Sequence, residues 1–427
     1  MHKTRGTARL VAGTVGLTLL IGLVAFNLMS GEKKIERRIE RLYSLEDPRF
    51  AQELGVLLGP PFVEGNRHQV LRNGDEIFPA MLAAIRSSKS SINFETYIYW
   101  SGAIGQEFAE ALAQRSRQGV KVHVLLDWVG SAKVEQHLLD QMEAAGVQIR
   151  KFHPPHWSHL GRLNNRTHRK LLLVDGRVAF TGCVGIAPQW TGNAQDPEHW
   201  RDTHFHVEGP VVAQMQSVFL DNWIKVTGDV LHGPDYFPAL QPAGTARAQM
   251  FSSSPTGGSE SMQLMYLLAI TAASRSIDLS ASYFVPDALA LQALVEAMQR
   301  GVKLRIIVPG QHIDSETVRS ASRAKWGPLL LAGAVIAQYQ PTMYHCKVMV
   351  VDGLLVSVGS TNFDNRSFRL NDEATLNIID ADFARQQTAI FESDLADARV
   401  VDYAQWRDRP LSERLAERLA ALIGSQL

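Results

Sequence analysis

The sequence of 427 residues predicts an α/β protein made of two repeated α/β/α sandwich domains in a pseudo-twofold arrangement, preceded by an N-terminal transmembrane helix. Three observations lead to this prediction: a short polar pattern that occurs twice, an alternation of strand and helix patterns that repeats with it, and an uncharged apolar run near the N-terminus. Alternating strands and helices are typical of layered α/β domains, and a long internal repeat indicates two copies of one unit.

The apolar run occupies Leu10–Ser30, about 21 positions without a charged residue, and could span a bilayer core of about 30 Å. Its length, and the lack of a clear A-x-A site after it, favour an uncleaved anchor over a cleaved signal peptide. Three Lys or Arg residues precede the run and five follow closely. This pattern favours a single-pass anchor with the bulk of the chain on the cytoplasmic side.

Residues 1–45 are predicted to form this membrane anchor and a charged stalk helix, because acidic and basic residues follow the run at i,i+4 spacing. The stalk is expected to pack on the next domain, and the alternative is an interfacial helix beside anionic lipid. The first domain is predicted at residues 46–246 and the second at 247–427. The boundary lies in the Pro/Gly/Ala-rich stretch Pro238–Arg247.

The two predicted domains carry the same elements in the same order. Each has a helix, a strand, a second helix and a buried strand, with a further strand after an Ala-Gly pair. The first four elements are predicted at Ile77–Ser88, Ser91–Tyr97, Gly105–Gln118 and Val120–Leu126, and again at Met262–Ser274, Ser276–Ser282, Leu289–Arg300 and Val302–Val308. Two such units predict a pseudo-twofold arrangement with a site where the two domains meet.

The repeated polar pattern joins a His-x-Lys pair to an Asp five residues after the Lys and a Gly seven residues after the Asp. The two copies, 177 residues apart, are His168, Lys170, Asp175 and Gly182, and then His345, Lys347, Asp352 and Gly359. Each pair leads into an apolar run typical of a buried strand. Because alternate side chains of a strand share a face, the His and Lys of each copy are predicted neighbours.

The Asp of each copy is predicted at a tight turn. The dipeptides Asp175-Gly176 and Asp352-Gly353 indicate hairpins whose return strands bring the following Gly back beside the His. Each Asp lies an odd number of positions from its His. We therefore expect Asp175 and Asp352 to have a structural role and not to contact substrate.

An imidazole beside an ammonium group suits phosphate chemistry. Lys neutralises phosphoryl oxygens as a point charge, and His attacks phosphorus or transfers a proton near neutral pH. Two such pairs facing each other would supply a nucleophile, a general acid and two cations without a metal ion or another cofactor. The alternative, two unrelated core histidines, leaves the matching Asp and Gly spacing unexplained.

The pattern closely resembles the signature of the phospholipase D superfamily, His-x-Lys-x4-Asp-x6-Gly-Ser-x-Asn, and the resemblance covers roughly residues 65–405. The second copy matches every position, including Ser360 and Asn362, whereas the first has Cys183 and Gly185 in place of the Ser and the Asn. The stretch from the second-copy Gly through the sequence Asn-Asp-Glu resembles the cardiolipin synthase branch in particular.

The resemblance implies catalysis through a phosphohistidine intermediate. In this superfamily the first-copy His is usually the nucleophile, which assigns that role to His168, while His345 would be the general acid and then the general base. Lys170 and Lys347 would hold the phosphoryl oxygens, and Asn362 would donate a hydrogen bond to them.

Each imidazole also needs an orienting partner. The family places acidic residues at positions comparable to Asp202, 34 residues after His168, and to Glu373, 28 residues after His345. We expect each carboxylate to orient the His that precedes it in its own repeat. For Asp202 the alternative is a surface salt bridge with Arg201.

Further contacts to substrate are predicted for four residues: Ser360, Glu95, Tyr97 and Tyr283. The last three lie at the ends of predicted strands that should border the site, and their alternative is ordinary packing. The first copy also carries an insertion at Pro155–Arg166 that we expect to form a loop at the mouth of the site. The insertion has histidines but also prolines and no nearby Cys, so no metal site is predicted.

The chain ends in a predicted amphipathic helix. Four leucines recur at helical spacing on one face, namely Leu411, Leu415, Leu419 and Leu422. Ser412 is predicted to cap its N-terminus. We expect this helix to pack on the second domain rather than on the membrane.

Composition and resemblance together favour a lipid substrate. Lys+Arg and Asp+Glu both total 43, and a net charge of zero counts against a nucleic-acid partner. The expected function is a membrane-anchored phosphatidyltransferase that forms cardiolipin from phosphatidylglycerol in the cell (inner) membrane, with its catalytic domain facing the cytoplasm. The first alternative is a phospholipase D-type phosphodiesterase acting on phospholipids or, less favoured, on nucleic acid. The second is a catalytically dead binding protein.

Overall fold

The computed structural model describes residues 10–22, 35–154, 164–255, 261–422 and 424. Residues 10–22 form helix α1. Within the described ranges, the structure has no helix that is both long enough and apolar enough to cross a membrane. The later part of the predicted anchor, residues 23–30, lies outside those ranges.

The stalk helix predicted after the anchor is wrong for the part that the structure describes. From Ile35 to the start of α2 the chain forms no helix in the described residues. Ile35, Ile39 and Tyr43 pack against the core of the second half, and Arg38 forms an ion pair with Glu296. These contacts with distant residues replace the i,i+4 pairs that favoured a helix.

The strands of the described chain are β1 (Val63–Arg72), β2 (Ser91–Thr96), β3 (Lys121–Asp127), β4 (Gln148–Phe152), β5 (Arg166–Thr167), β6 (Leu171–Val174), β7 (Val178–Gly182), β8 (Thr203–Glu208), β9 (Ala246–Ser253), β10 (Ser276–Ala281), β11 (Phe284–Val285), β12 (Lys303–Pro309), β13 (Val335–Tyr339), β14 (Lys347–Val351), β15 (Leu355–Gly359), β16 (Phe363–Asp364), β17 (Asn371–Ile379) and β18 (Ala398–Val400).

The helices after α1 are α2 (Pro48–Leu58), α3 (Asn73–Ser87), α4 (Ala103–Arg117), α5 (Gln136–Ala144), α6 (Val211–Thr227), α7 (Met262–Ala272), α8 (Ala288–Gln299), α9 (Glu316–Arg323), α10 (Trp326–Leu331), α11 (Asn365–Arg369), α12 (Ala381–Ala396), α13 (Tyr403–Arg407) and α14 (Leu411–Leu422), with a short 3-10 turn at Pro188–Trp190.

The two halves form one continuous mixed sheet. Its order is β18-β13-β12-β10-β14-β15-β17-β9-β1-β8-β7-β6-β2-β3-β4, and β5 pairs with β17. Reading outward from the antiparallel β9–β1 pair, the strands of one half match those of the other in sequence order and in direction. The predicted pair of repeated α/β units is therefore confirmed, whereas the boundaries given for the two domains remain a prediction.

The three largest apolar clusters of the described residues hold the helices to the sheet. One belongs to the first half, one joins the second half to Leu45 and helix α2, and the third takes side chains from both halves. In β6, Leu172 lies in the cluster of the first half while Leu171 and Leu173 lie in the shared one. Because alternate residues face opposite sides, both faces of this strand are buried, as its unbroken apolar run predicts.

Both motif Asp residues lie in hairpin turns with φ near +54° (Asp175) and +55° (Asp352), each followed by a Gly of positive φ. Such turns match the twist of antiparallel strands. Each carboxylate accepts hydrogen bonds from three successive backbone N–H groups, those of Lys89, Ser90 and Ser91 and those of Ser274, Arg275 and Ser276. These contacts fix the hairpin to the neighbouring strand and leave neither carboxylate in the site.

Helix α14 packs on the second half through a different face from the predicted one. Leu411, Leu415 and Leu419 are 77%, 60% and 58% exposed, whereas Glu417 and Ala420 on the opposite side are buried. Glu417 pairs with two arginines of the second half, which holds this polar face inward. The predicted cap is also wrong, because the helix begins before Ser412.

Candidate active site

One cavity of about 300 Å³ lies where the two halves meet, lined by His168 and Lys170 of the first copy and by His345 and Asn362 of the second. His168 lies between β5 and β6, and His345 lies just before β14. The predicted convergence of two His-x-Lys pairs on one site therefore agrees with the geometry.

The backbone of each His is held by the opposite half. The N–H of His168 donates to Asp372 O at 2.9 Å, next to the β5–β17 pairing. The N–H of His345 donates to Arg201 O at 2.8 Å. Each imidazole is thus fixed at the junction by hydrogen bonds that cross between the repeats.

The carboxylate of each repeat contacts the His of the other repeat. His168 Nδ1 lies 3.0 Å from Glu373 Oε1, and His345 Nδ1 lies 2.7 Å from Asp202 Oδ2. Both carboxylates are fully buried. The prediction that each orients the His of its own repeat was wrong, because β17 and the segment before β8 lie across the junction from the His that precedes them.

The surface salt bridge considered for Asp202 was also wrong. The Arg201 side chain instead forms a buried pair with Asp394 at 2.9 Å. Burial would raise the pKa of Asp202, but His345 and Lys347 outweigh it and lower this pKa below its ordinary value. The carboxylate is therefore ionised at neutral pH.

His168 is a neutral imidazole at pH 7. Burial lowers its pKa to about 4, although Glu373 opposes this shift. The pKa of Glu373 is itself lowered, because His168, Lys170 and the Ser360 hydroxyl outweigh the effect of burial. Since the ionised carboxylate accepts the Nδ1 proton, the lone pair of His168 lies on Nε2, the form that a nucleophile needs.

The two lysines lie close to their histidines. Lys170 Nζ donates to His168 O at 2.7 Å, and Lys347 Nζ lies 3.3 Å from His345 Nε2. Burial lowers the pKa of Lys170 to about 7, and the positive charge of Lys347 acts in the same direction. Burial and Lys347 likewise lower the pKa of His345. The positive charges of the two buried lysines thus oppose each other, and a bound anion would relieve this repulsion.

Aromatic rings surround both imidazoles. Tyr97 contacts His168 edge-on with ring centroids 5.1 Å apart, while Trp190 and Trp200 lie 5.3 and 5.5 Å from His345. Tyr97 and Tyr283 both line the cavity, as predicted for residues that border the site. Neither tryptophan was predicted, although Trp200 stands in the same His-Trp-Arg-Asp sequence as Asp202.

Two residues predicted to contact substrate do not reach the cavity. Ser360 is fully buried, and its hydroxyl donates to Glu373. Glu95 is also fully buried, and its carboxylate accepts from Thr167 and from Asn222. Their predicted substrate contacts were wrong, because both side chains lie in the layer beneath the histidines.

The burial of Glu95 gives a stability prediction. Burial raises its pKa from 4.5 to about 7, although Arg169 opposes the shift. The folded state therefore holds more protons than the unfolded chain between these values, and stability falls as pH rises through this window. Glu95→Gln removes the buried charge, and we expect it to raise the free energy of unfolding at about pH 8 by roughly 3 kcal/mol at most.

Thermal unfolding of both proteins at about pH 8 and at about pH 4 measures this effect. Most of the gain should appear at the higher pH, because Glu95 is largely protonated in both states at the lower one. An equal difference at both pH values would show that the substitution acts through packing and not through charge.

Several residues that line the cavity were not singled out from the sequence. Arg366, Asp364 and Asn371 lie in the stretch that resembles cardiolipin synthases, and that resemblance was the only available signal. Asp314 also lines the cavity and accepts a hydrogen bond from Tyr283 at 2.7 Å.

The insertion of the first copy is described only at its end. Residues 155–163 lie outside the described ranges, and Arg166 at the end of the insertion lines the cavity. In the part of the chain that the structure describes, no group of three or more His, Cys, Asp or Glu side chains could hold a metal ion.

Two His-x-Lys pairs from repeated halves, converging on one cavity, define a protein of the phospholipase D superfamily. The family model described as "Cardiolipin synthase, PLD-like domain" matches residues 81–223 and 266–395. The chain belongs to this family.

Relatives that carry the name cardiolipin synthase are similar in sequence to most of the chain. A cardiolipin synthase of Geobacillus kaustophilus is 35% identical over 91% of this chain and 78% of its own length. Cardiolipin synthase 2 of Bacillus anthracis is 33% identical over 94% and 79%. The major cardiolipin synthase ClsA of Bacillus subtilis is 33% identical over 85% and 76%.

The fold is shared with a solved structure of low sequence identity. The phosphatidylserine synthase of Haemophilus influenzae superposes with a TM-score of 0.68 at 13% identity, covering 90% of this chain and 100% of that one. This similarity extends the twin-domain fold across nearly the whole chain.

Proposed function

We propose that this protein is a membrane-anchored phosphatidyltransferase that joins two phosphatidylglycerol molecules into cardiolipin and releases glycerol. The observation that supports it most directly is the pair of histidines on one cavity, each held by a buried carboxylate of the other half. The family of the chain supports the choice of a phospholipid as substrate.

In the first step, His168 Nε2 attacks the phosphorus of one phosphatidylglycerol. A phosphorus–nitrogen bond forms, the bond to the glycerol oxygen breaks, and protonated His345 gives its proton to that oxygen. Lys170 and Lys347 hold the non-bridging oxygens, and Asn362 donates a hydrogen bond. An anionic phosphodiester favours the protonated form of His345, which offsets the lowering of its pKa in the empty cavity.

In the second step, the neutral His345 left by the first takes the proton of a glycerol hydroxyl on a second phosphatidylglycerol. The alkoxide oxygen attacks the phosphorus, the phosphorus–nitrogen bond breaks, and His168 regains its lone pair. The atoms balance without water, so the products are cardiolipin and free glycerol.

The test is to incubate the purified protein with phosphatidylglycerol in mixed micelles and to separate the lipids. Cardiolipin and glycerol in equal amounts are expected. Phosphatidic acid as the main product would mean that water is the acceptor and that the protein is a phospholipase. No turnover at all would favour a binding protein instead.

We also propose that the apolar segment at Leu10–Ser30 anchors the protein in the inner membrane with the catalytic halves on the cytoplasmic side. Removal of residues 1–31 should release the protein from membranes but leave its rate on detergent-dispersed lipid within about twofold, because no residue placed in the site precedes Tyr97. Fractionation and micelle assays measure both effects. Loss of the micelle activity in a folded truncated protein would show that the segment forms part of the site.

A further inference from the structure

The first-copy motif departs from the second at two positions, and the departures change how the carboxylates are held. In the second copy, the Ser360 hydroxyl donates to the same Glu373 carboxylate that accepts from His168. In the first copy Cys183 stands at the Ser position, and its thiol donates to Gly359 O at 2.9 Å. Asp202 therefore lacks the hydroxyl donor that Glu373 has.

Trp190 supplies a donor to Asp202 instead. Its indole Nε1–H donates to Asp202 Oδ2 at 2.9 Å, and the same oxygen accepts from His345 Nδ1 at 2.7 Å. The indole is 2% exposed and packs against Trp200, with ring centroids 4.6 Å apart. A buried hydrogen bond to an ionised group is among the stronger ones that a side chain can make.

The second departure makes room for this indole. A Cβ atom at Gly185 would lie 2.8 Å from Ile98 Cβ and 3.1 Å from the Trp190 ring. A larger side chain such as the Asn of the motif would collide with the tryptophan. Cys183 in place of the Ser thus leaves Asp202 without a hydroxyl donor, and Gly185 in place of the Asn leaves space for the Trp190 ring that donates to Asp202 instead.

We propose that Trp190 is a positioning residue that orients Asp202, and through it His345, in place of the Ser that the first motif lacks. The inference rests on the proposed roles of His345 as acid and base. Trp190 would act mainly on proton transfer to the leaving oxygen, because Asp202 stabilises the protonated imidazole.

The test compares Trp190→Phe with the double variant Trp190→Phe/Cys183→Ser on two substrates, phosphatidylglycerol and a phosphatidyl p-nitrophenyl ester. Trp190→Phe should lower kcat about 10- to 100-fold on the natural lipid with little change in KM. The loss should be smaller in the rate of the p-nitrophenolate burst from the ester, since p-nitrophenolate leaves without a proton. Cys183→Ser should restore part of the natural activity by offering Asp202 a hydroxyl, as Ser360 does for Glu373.

An equal loss in turnover of the natural lipid and in the rate of the p-nitrophenolate burst would overturn the inference, because it would indicate a packing role only. A readout that needs no turnover separates this inference from the proposed function. The Nδ1–H proton resonance of His345, measured with labelled histidine, should move in Trp190→Phe. An unchanged resonance would overturn the positioning role whatever reaction the protein catalyses.

A second, independent observation concerns the exposed leucines of α14. Leu411, Leu415 and Leu419 follow one another at i,i+4 spacing and form a continuous apolar stripe on the surface, here called the leucine stripe. Arg414 and Arg418 are exposed beside it. An apolar stripe bordered by cations is typical of helices that lie in the interface of an anionic bilayer.

The helix runs along α9 toward the cavity. Glu413 near its start pairs with Arg323 at the end of α9, and Ala420 near its end packs with Val285 and Val318. Val318 lines the cavity. The far end of α14, which carries the leucine stripe on its outer face, therefore packs on the helix that forms one wall of the site.

We infer that the leucine stripe rests on the surface of an anionic phospholipid bilayer and sets the mouth of the cavity beside it. This rests on the proposed use of bilayer lipids as substrates. The arrangement would let a phospholipid enter the site from the bilayer without crossing water.

The test uses the full chain with single cysteines at Leu415 or Leu419, each labelled with a nitrobenzoxadiazole dye. The native Cys183 and Cys346 are buried, so labelling is confined to the new thiol. A cysteine at Val230, an exposed apolar position on the first half, is the matched control. In phosphatidylglycerol vesicles the emission at Leu415 and Leu419 should shift to the blue, and that at Val230 should not.

Emission that stays aqueous at both leucine positions in vesicles would overturn the inference. So would a blue shift without lipid that grows with protein concentration, because it would identify a second copy of the chain as the occupant. The dye reports binding and not turnover, so a failure of the proposed reaction would be seen separately in the lipid analysis.

Discussion

His168→Asn should abolish turnover, with a loss on the order of 10⁴-fold or more. The imidazole is held by Glu373 with its free nitrogen toward the cavity. Cys183 also lines the cavity, but burial raises the pKa of its thiol well above the ordinary value, which leaves too little thiolate. Asn keeps a polar group of similar size, so the loss would come from chemistry and not from folding.

Release of glycerol from phosphatidylglycerol measures this loss. A thermal unfolding midpoint close to that of the unaltered protein is the control for folding. Activity above about one percent in His168→Asn would contradict the assignment of the nucleophile. A covalent phosphatidyl group mapped to any other side chain of the unaltered protein would contradict it as well.

Local patterns in the sequence predicted the repeated half-sites and their hairpins. The spacing of His168, Lys170 and Asp175 predicts a strand followed by a tight turn, and the structure has Asp175 in that turn. The exchange of Glu373 and Asp202 could not be predicted in this way. It depends on the two halves sharing one sheet, which brings β17 against β5 of the other repeat.

The remaining wrong predictions concern which side chains are buried. Glu95 lies on the strand predicted for it, and Ser360 directly follows β15, but a sequence pattern does not show how far a side chain lies below a cavity floor. In α14 the leucines predicted an inward face, whereas the ion pairs of Glu417 hold the opposite face against the second half. Charge pairing between distant residues outweighed apolar periodicity in that helix, and it is invisible to local sequence analysis.

His345→Asn should separate the two steps of the reaction. With phosphatidylglycerol, the rate should fall about 10²- to 10⁴-fold, because the glycerol oxygen leaves without a proton donor. With a phosphatidyl p-nitrophenyl ester, the first step needs no proton, and one equivalent of p-nitrophenolate should appear in a rapid burst. The second step still needs a base, so the phosphatidyl group should remain on His168.

Mass spectrometry of the variant after reaction with the ester tests this directly, with the phosphatidyl group expected on the peptide that contains His168. His168→Asn/His345→Asn should show neither burst nor adduct, which controls for reaction elsewhere. Steady turnover of the ester by His345→Asn, without an adduct, would mean that another group activates the acceptor.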